Sequence, residues 1–207
     1  MKIKVCGLTR AQDIEAVNAL GVWAVGLNAY PYSPRYLTPK KMAELAALLT
    51  PGILKVGVFV NASAEHIHSV ARTCQLDFVQ LHGDESAEFC SALGLPIIKA
   101  FRLKPGAPAP YLNAYAPYVS YFLLDSFSTE AYGGTGERIT TQALAAVENS
   151  PRPILLAGGV NPNNALFLWQ TQQPFALDIC SGVESQPGIK DHEKLRQLKA
   201  LALDAHD

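Results

Sequence analysis

Residues 153–171 read PILLAGGVNPNNALFLWQT, one complete strand–turn–helix unit. PILLA (153–157) is short and continuously apolar, as a parallel strand buried on both faces must be. Gly158 and Gly159 interrupt it, and Asn161-Pro162 offer a cap residue and a first-turn proline for a helix that NNALFLWQT (163–171) continues. The same grammar recurs along the chain. Seven further apolar runs lie at KIKVC (2–6), WAVGL (23–27), LKVGVFV (54–60), FVQL (78–81), PIIKAF (96–101), YFLLD (121–125) and FALDIC (175–180). Helical stretches lie between most of them: DIEAVNAL, PKKMAELAALL, SAEHIHSVART, SAEFCSAL, TTQALAAVE (140–148) and, last, KDHEKLRQLKALAL. Thr38-Pro39, Asn61/Ser63 and Ser86 mark helix starts.

Alternating strand and helix predicts an α/β fold with a parallel sheet and helices outside. Eight such units close a single (β/α)8 barrel, a TIM barrel over residues 1–207, and the length of 207 sits at the short end for that fold. Unit five is the exception. Its connection, KPGAPAPYLNAYAPY (104–118), is proline-rich, so its helix is expected to be short or irregular. An open doubly wound sheet is the alternative, but no GxGxxG follows the first strand.

Composition excludes several function classes. A net charge of −1 gives no electrostatic drive toward nucleic acid or an anionic membrane. No apolar window reaches the length of a spanning helix, and the first ten residues, MKIKVCGLTR, have no signal-peptide pattern, so a cytoplasmic protein is expected. Cys6, Cys74, Cys90 and Cys180 are widely spaced and read as reduced thiols rather than disulfides or zinc ligands. His66 and His68 sit one residue apart, on different faces of a helix, and make a poor metal site. No metal or cofactor is expected, and nothing in the sequence chooses between monomer and homodimer.

In such a barrel, ligands meet the C-terminal ends of the strands. Those ends are Cys6-Gly7, Asn28, Asn61, His82-Gly83-Asp84, Arg102, Asp125-Ser126, Gly158-Gly159, and Asp178 with Ser181-Gly182. They are polar or glycine, whereas the strand interiors are apolar. Two loops read as phosphate sites, LAGGVNPNN after strand seven and CSGVESQPG after strand eight, through backbone N–H groups that glycine leaves accessible. Tight turns would use the same glycines. YGGTGE (132–137) lacks a Walker ending and reads as a loop over the mouth. Arg35, in YPYSPRYL, could clamp a substrate carboxylate through its fork, or be an ordinary exposed arginine. Cys6 could be a small core residue, and Asp125 could simply cap its loop. As a thiolate base and a partly desolvated, protonated acid, the two would suit an aldose–ketose shift.

In order, the motifs KVCGLTR, SPRYL, VGVFVN, VQLHGDES, LLDS, YGGTGE, LAGGVNPNN and SGVESQPGIKD resemble the phosphoribosylanthranilate isomerase family of tryptophan biosynthesis, and they span residues 4 to 191. The resemblance implies an Amadori rearrangement of N-(5-phosphoribosyl)anthranilate to 1-(2-carboxyphenylamino)-1-deoxyribulose 5-phosphate. By the same resemblance Asp125 is the general acid at the furanose oxygen and Cys6 the general base at C2′. Arg35 lies near the anthranilate, and His82 and Asp178 contact substrate. Gly159, Val160, Ser181 and Gly182 bind phosphate.

Three positions depart from the family pattern. Asn28 stands where an aromatic is usual, Glu137-Arg138-Ile139-Thr140 replaces a lysine–aromatic–aspartate segment, and Cys180 replaces serine. A related isomerase of histidine synthesis would carry an aspartate at position 6. A cysteine hydrolase would need a base near its nucleophile, and His82 is the one histidine at a strand end. A non-catalytic barrel that partners other tryptophan enzymes is the remaining alternative, disfavoured by the presence of both Cys6 and Asp125.

Overall fold

In the computed structural model, which describes residues 1–103, 111–125 and 150–204, eight strands close in sequence order into a parallel barrel. They are β1 Ile3–Cys6, β2 Ala24–Asn28, β3 Leu54–Phe59, β4 Phe78–Leu81, β5 Ile97–Arg102, β6 Tyr121–Asp125, β7 Ile154–Ala157 and β8 Ala176–Ile179. Closure is made by β8 against β1, with Lys4 opposite Asp178 and Val5 opposite Ile179. The open doubly wound sheet is thereby excluded.

Helices follow the strands: α1 Ala11–Leu20, α2 Pro39–Ala46, α3 Ala64–Cys74, α4 Ala87–Leu93, α5 Ala165–Gln172 and α6 His192–Asp204. The side chains of Thr38, Ser63 and Ser86 each accept from a backbone N–H three residues on, satisfying a donor that the first turn leaves unpaired. In unit five the described residues form two 3-10 turns, Leu112–Ala114 and Ala116–Tyr118. That is the irregularity its prolines predict, since proline cannot donate to a helical ladder. α5 starts later than Asn161-Pro162 suggests. Asn161 Oδ1 accepts from Asn163 N at 2.9 Å and Asn164 Oδ1 from Asn161 N at 2.8 Å, so side chains hold this stretch as a turn before Ala165. The helix expected over 140–148 and the YGGTGE loop lie outside the described residues.

Period-two alternation sorts the side chains into two cores. Ile3, Val5, Val25, Leu27, Phe122 and Leu124 face the helices. Ala24, Val56, Ile98, Leu123, Leu155 and Ala176 fill the barrel. The N-terminal mouth is plugged by Trp23, Phe78, Tyr121 and Phe175, one from each even-numbered strand or the residue before it. Their centroids lie 4.9–5.5 Å apart, mostly edge to face. Such pairs each add about 0.5–1.5 kcal/mol beyond their area.

After β8 a 3-10 turn, Ser181–Val183, leads into a small hairpin of β9 (Glu184–Gln186) and β10 (Ile189–Lys190). These strands are too short for periodicity to reveal. Gly188 turns between them with φ +80°. Among the described residues no helix is long and apolar enough to cross a membrane.

Candidate active site

Polar strand ends gather at the opposite mouth, in three groups. The first lies between β7 and β8. Gly158 and Gly159 take φ of +89° and +68°, which bulkier residues resist. A Cβ on Gly182 would collide with the Val160 carbonyl oxygen. The two glycine-rich loops therefore meet at Gly182, and Gly159 and Ser181 are left solvent-exposed beside Val160. Gly182 thus packs against buried Val160, and their chain neighbours Ser181 and Gly159 are exposed.

The second group surrounds Cys6, which is 8% exposed at the end of β1. Gly26 lies opposite it on β2, and a Cβ there would reach within 2.5 Å of Sγ, so the thiol occupies the space that glycine leaves. The pKa of Cys6 is lowered. A hydrogen bond from the Cys180 thiol is the largest cause; burial and Asp178 oppose it, and the Lys4 and Lys190 ammonium groups reinforce it. The Cys180 thiol, as the donor and itself buried, is raised. Lys4 is fully buried and donates to Asp178 Oδ1 at 2.8 Å. Burial alone would neutralise it, but Asp178 and Cys6 hold its proton and raise its pKa.

Arg35 reaches the same corner, where a Cβ on Gly7 would strike its Cδ. Its fork, however, is already filled. Nε donates to Glu184 Oε1 at 2.8 Å and Nη2 donates to Oε2. Glu184 also accepts from Lys190 Nζ at 2.9 Å and Gly188 N at 3.2 Å. Burial pushes Glu184 up, but these cations outweigh it and lower its pKa, while the same pairing raises that of Arg35. Arg35 thus brings charge to the mouth with its bidentate face turned to a protein carboxylate. Asn28 holds the loop that carries it. Asn28 Oδ1 accepts from Tyr30 N at 2.8 Å, and its Nδ2 donates to Ser33 Oγ at 3.2 Å, which accepts from Arg35 N.

Asp125 and His82 form the third group. Asp125 ends β6, three strands round the barrel from β1, with 24% of its side chain exposed. His82 Nε2 lies 3.5 Å from Asp125 Oδ2, and His82 Nδ1 lies 2.8 Å from Gln80 Nε2. The loop after β4 is braced from below. Buried Lys99 donates to Glu85 Oε2 and to the Gly83 carbonyl, both at 2.8 Å, while Glu85 accepts from the backbone N–H of Asn61 and Gly83.

Lys4, Gln80, Glu184 and Lys190 are members of the site that reasoning from sequence missed. Lys4 and Gln80 carried a usable signal, being polar residues on the inward face of otherwise apolar strands, where a partner is obligatory. Glu184 and Lys190 carried none, because their hairpin has no period. Among the described residues no group of three His, Cys, Asp or Glu side chains could hold a metal ion. A thiol held toward its thiolate and a carboxyl group at one mouth, beside backbone donors for an anion, can move protons between neighbouring atoms of a phosphorylated substrate.

Known proteins resemble this chain over nearly its whole length. The family described as N-(5'phosphoribosyl)anthranilate (PRA) isomerase matches residues 3–200. The N-(5'-phosphoribosyl)anthranilate isomerase of Magnetococcus marinus is 42% identical over 207 residues, covering 100% of this chain and 97% of that protein. The crystal structure of phosphoribosyl anthranilate isomerase from Thermus thermophilus superposes with a TM-score of 0.84 at 35% identity, covering 99% of each chain. A second solved isomerase, in complex with reduced 1-(o-carboxyphenylamino)-1-deoxyribulose 5-phosphate, gives a TM-score of 0.86 at 32% identity, again with 99% of each chain covered. With the fold, the length and the family match in agreement, the chain belongs to the N-(5'-phosphoribosyl)anthranilate isomerase family.

Proposed function

We propose that this protein isomerises N-(5'-phosphoribosyl)anthranilate to 1-(o-carboxyphenylamino)-1-deoxyribulose 5-phosphate in tryptophan biosynthesis, with Asp125 as general acid and Cys6 as general base. The observation that carries the reading is the environment of Cys6. The buried Cys6 thiol, hydrogen-bonded by Cys180 and in the field of the Lys4 and Lys190 ammonium groups, is lowered in pKa, although burial by itself would raise it. That environment suits a base near neutral pH and is wasted on a packing residue.

The substrate phosphate is held by backbone donors around Gly159, Val160, Ser181 and Gly182, which fixes the sugar over the mouth. Asp125 gives its proton to the furanose oxygen, the ring C–O bond breaks, and a protonated Schiff base forms at C1′. That positive charge acidifies C2′–H. The Cys6 thiolate takes the C2′ proton, and the electron pair left on carbon neutralises the iminium to an enolamine, which tautomerises to the ketone. Asp178, tied to Lys4, contacts the sugar. His82 also faces the substrate pocket, and Arg35 contributes positive charge near the anthranilate carboxylate while Glu184 occupies its fork.

The test is an assay with freshly generated phosphoribosylanthranilate, following loss of its anthranilate-type fluorescence. Wild type should turn over. Cys6→Ala and Asp125→Asn should each lose about 10²–10⁴-fold in kcat with thermal midpoints close to wild type. A variant within a few-fold of wild type would refute that residue's role, and an inert wild type would favour a non-catalytic partner.

A further inference from the structure

Gln80 is a polar residue in an apolar strand, FVQL, and its side chain is 1% exposed inside the barrel. Its Nε2 lies 2.8 Å from His82 Nδ1. Its Oε1 is buried with no hydrogen-bond partner among the described residues. The contact has one of two meanings. With the amide nitrogen toward the ring, Nδ1 must accept, because an amide nitrogen has no lone pair to offer. With the carboxamide reversed, the oxygen would accept from an Nδ1–H, and two amide hydrogens would be stranded instead of one hydrogen and the carbonyl. An under-satisfied buried carbonyl is the cheaper defect. The first arrangement is therefore favoured, and in it the proton of the neutral imidazole sits on Nε2, the nitrogen facing Asp125 Oδ2 at 3.5 Å.

We propose that Gln80 is a positioning residue that sets the His82 tautomer so that its Nε2–H faces Asp125 and steadies the carboxylate as it gives up its proton. The proposal rests on the reading of Asp125 as general acid. While Asp125 is protonated on Oδ1, the Nε2–H meets a weak acceptor in Oδ2. As the Oδ1 proton passes to the furanose oxygen, negative charge spreads over both oxygens and the same N–H becomes a stronger donor-to-anion contact. An interaction that grows along the reaction lowers the barrier, whereas one equal at both ends does not. The opposite tautomer would present a lone pair to the developing anion and raise it. The bracing of this loop fits the role. His82 N donates to the Phe59 carbonyl at 2.8 Å, and the Lys99–Glu85 pair holds the residues that follow, so the ring approaches Asp125 from a fixed backbone. A separation of 3.5 Å is within the range of catalytic contacts that tighten to hydrogen bonds when substrate binds.

The experiment is nitrogen-15 NMR of the imidazoles, with the His82 signals assigned by their loss in His82→Gln, alongside kcat and KM for Gln80 variants. Wild type should show a pyrrole-type Nε2 and a pyridine-type Nδ1 at His82. Glu in place of Gln80 offers only acceptors to Nδ1, so Gln80→Glu should move the proton to Nδ1 and lower kcat by about tenfold to a hundredfold, with KM within about threefold. Gln80→Met, which neither donates nor accepts strongly, should give mixed tautomers and a smaller loss. An Nδ1–H tautomer in wild type would overturn the proposal, even if no variant folds. So would a switched tautomer in Gln80→Glu with unchanged kcat, or a Gln80→Met loss equal to that of Gln80→Glu without a tautomer change. Asp125→Asn separates the two claims: if it keeps full turnover, the acid assignment itself has failed.

Discussion

The two mouths of the barrel are built from the same strands and do opposite work. Trp23, Phe78, Tyr121 and Phe175 close the N-terminal mouth at the starts of the even-numbered strands. Four or five residues further along those strands stand Asn28, His82, Asp125 and Cys180. One mouth is packed with rings, mostly in edge contact. The other is lined by donors, thiols and a carboxylate left partly open to solvent. Packing and buried charge thus sit at opposite ends: the ring plug closes one mouth, and the far end carries the buried ion pairs.

Substitutions at different depths should separate these roles. The largest effect is expected between the mouths, at Lys4. Lys4→Met leaves Asp178 buried without its cation and should cost about 3–5 kcal/mol by urea denaturation, whereas pairing it with Asp178→Leu should recover much of that loss. If Lys4→Met cost under about 1 kcal/mol, the ion pair would not be the strut that its burial implies. At the plug, Tyr121→Ala should lose about 2–4 kcal/mol of stability while kcat stays within about twofold. A kcat that collapsed with the plug would erase the division between the mouths.

At the reactive mouth, Cys180→Ala should change pH dependence more than stability. With Cys6 as the base proposed above, kcat/KM should rise with pH through its pKa, which is lowered from the ordinary thiol value of about 8.5. Removing the Cys180 hydrogen bond raises that pKa. The acid limb of the profile should therefore move to higher pH, with several-fold lower activity on its acid side and little change where Cys6 is ionised in both proteins. A limb that stayed put would assign the lowering to Lys4 and Lys190 alone. The smallest effect is expected at Lys2, whose Nζ lies 4.0 Å from the Phe175 ring centroid. Lys2→Ala should cost about 0.5–1 kcal/mol in the same denaturation experiment and leave turnover unchanged.

Most of the fold is legible in the sequence, because strand and helix each impose a short period on neighbouring residues. PILLA and FVQL are apolar at every pleat except Gln80, and Thr38, Ser63 and Ser86 cap helices by local bonds. Elsewhere the pattern is overridden by local competitions of another kind. Asn161 and Asn164 bond to nearby backbone groups and delay α5, and the β9–β10 hairpin is shorter than any period. Within the candidate site, Cys6, Asp125, His82 and Asp178 are marked by position at strand ends. Their partners are not, and for Arg35 the partner changes the reading: the fork offered to substrate belongs to Glu184, 149 residues away in sequence.

The order of apolar and polar residues alone determined that this chain closes eight parallel strands into a barrel, and which residue types stand at the strand ends. Those properties follow from contacts within a few residues and from the rule that strand ends face ligands in this architecture. Tertiary structure decided what state those residues are in. Closing β8 onto β1 sets Asp178 beside Lys4 across 174 residues of sequence and brings Cys180 to Cys6. Charges and hydrogen bonds at such separations have no local signature, and in a buried site of low dielectric they govern which protons stay and which leave.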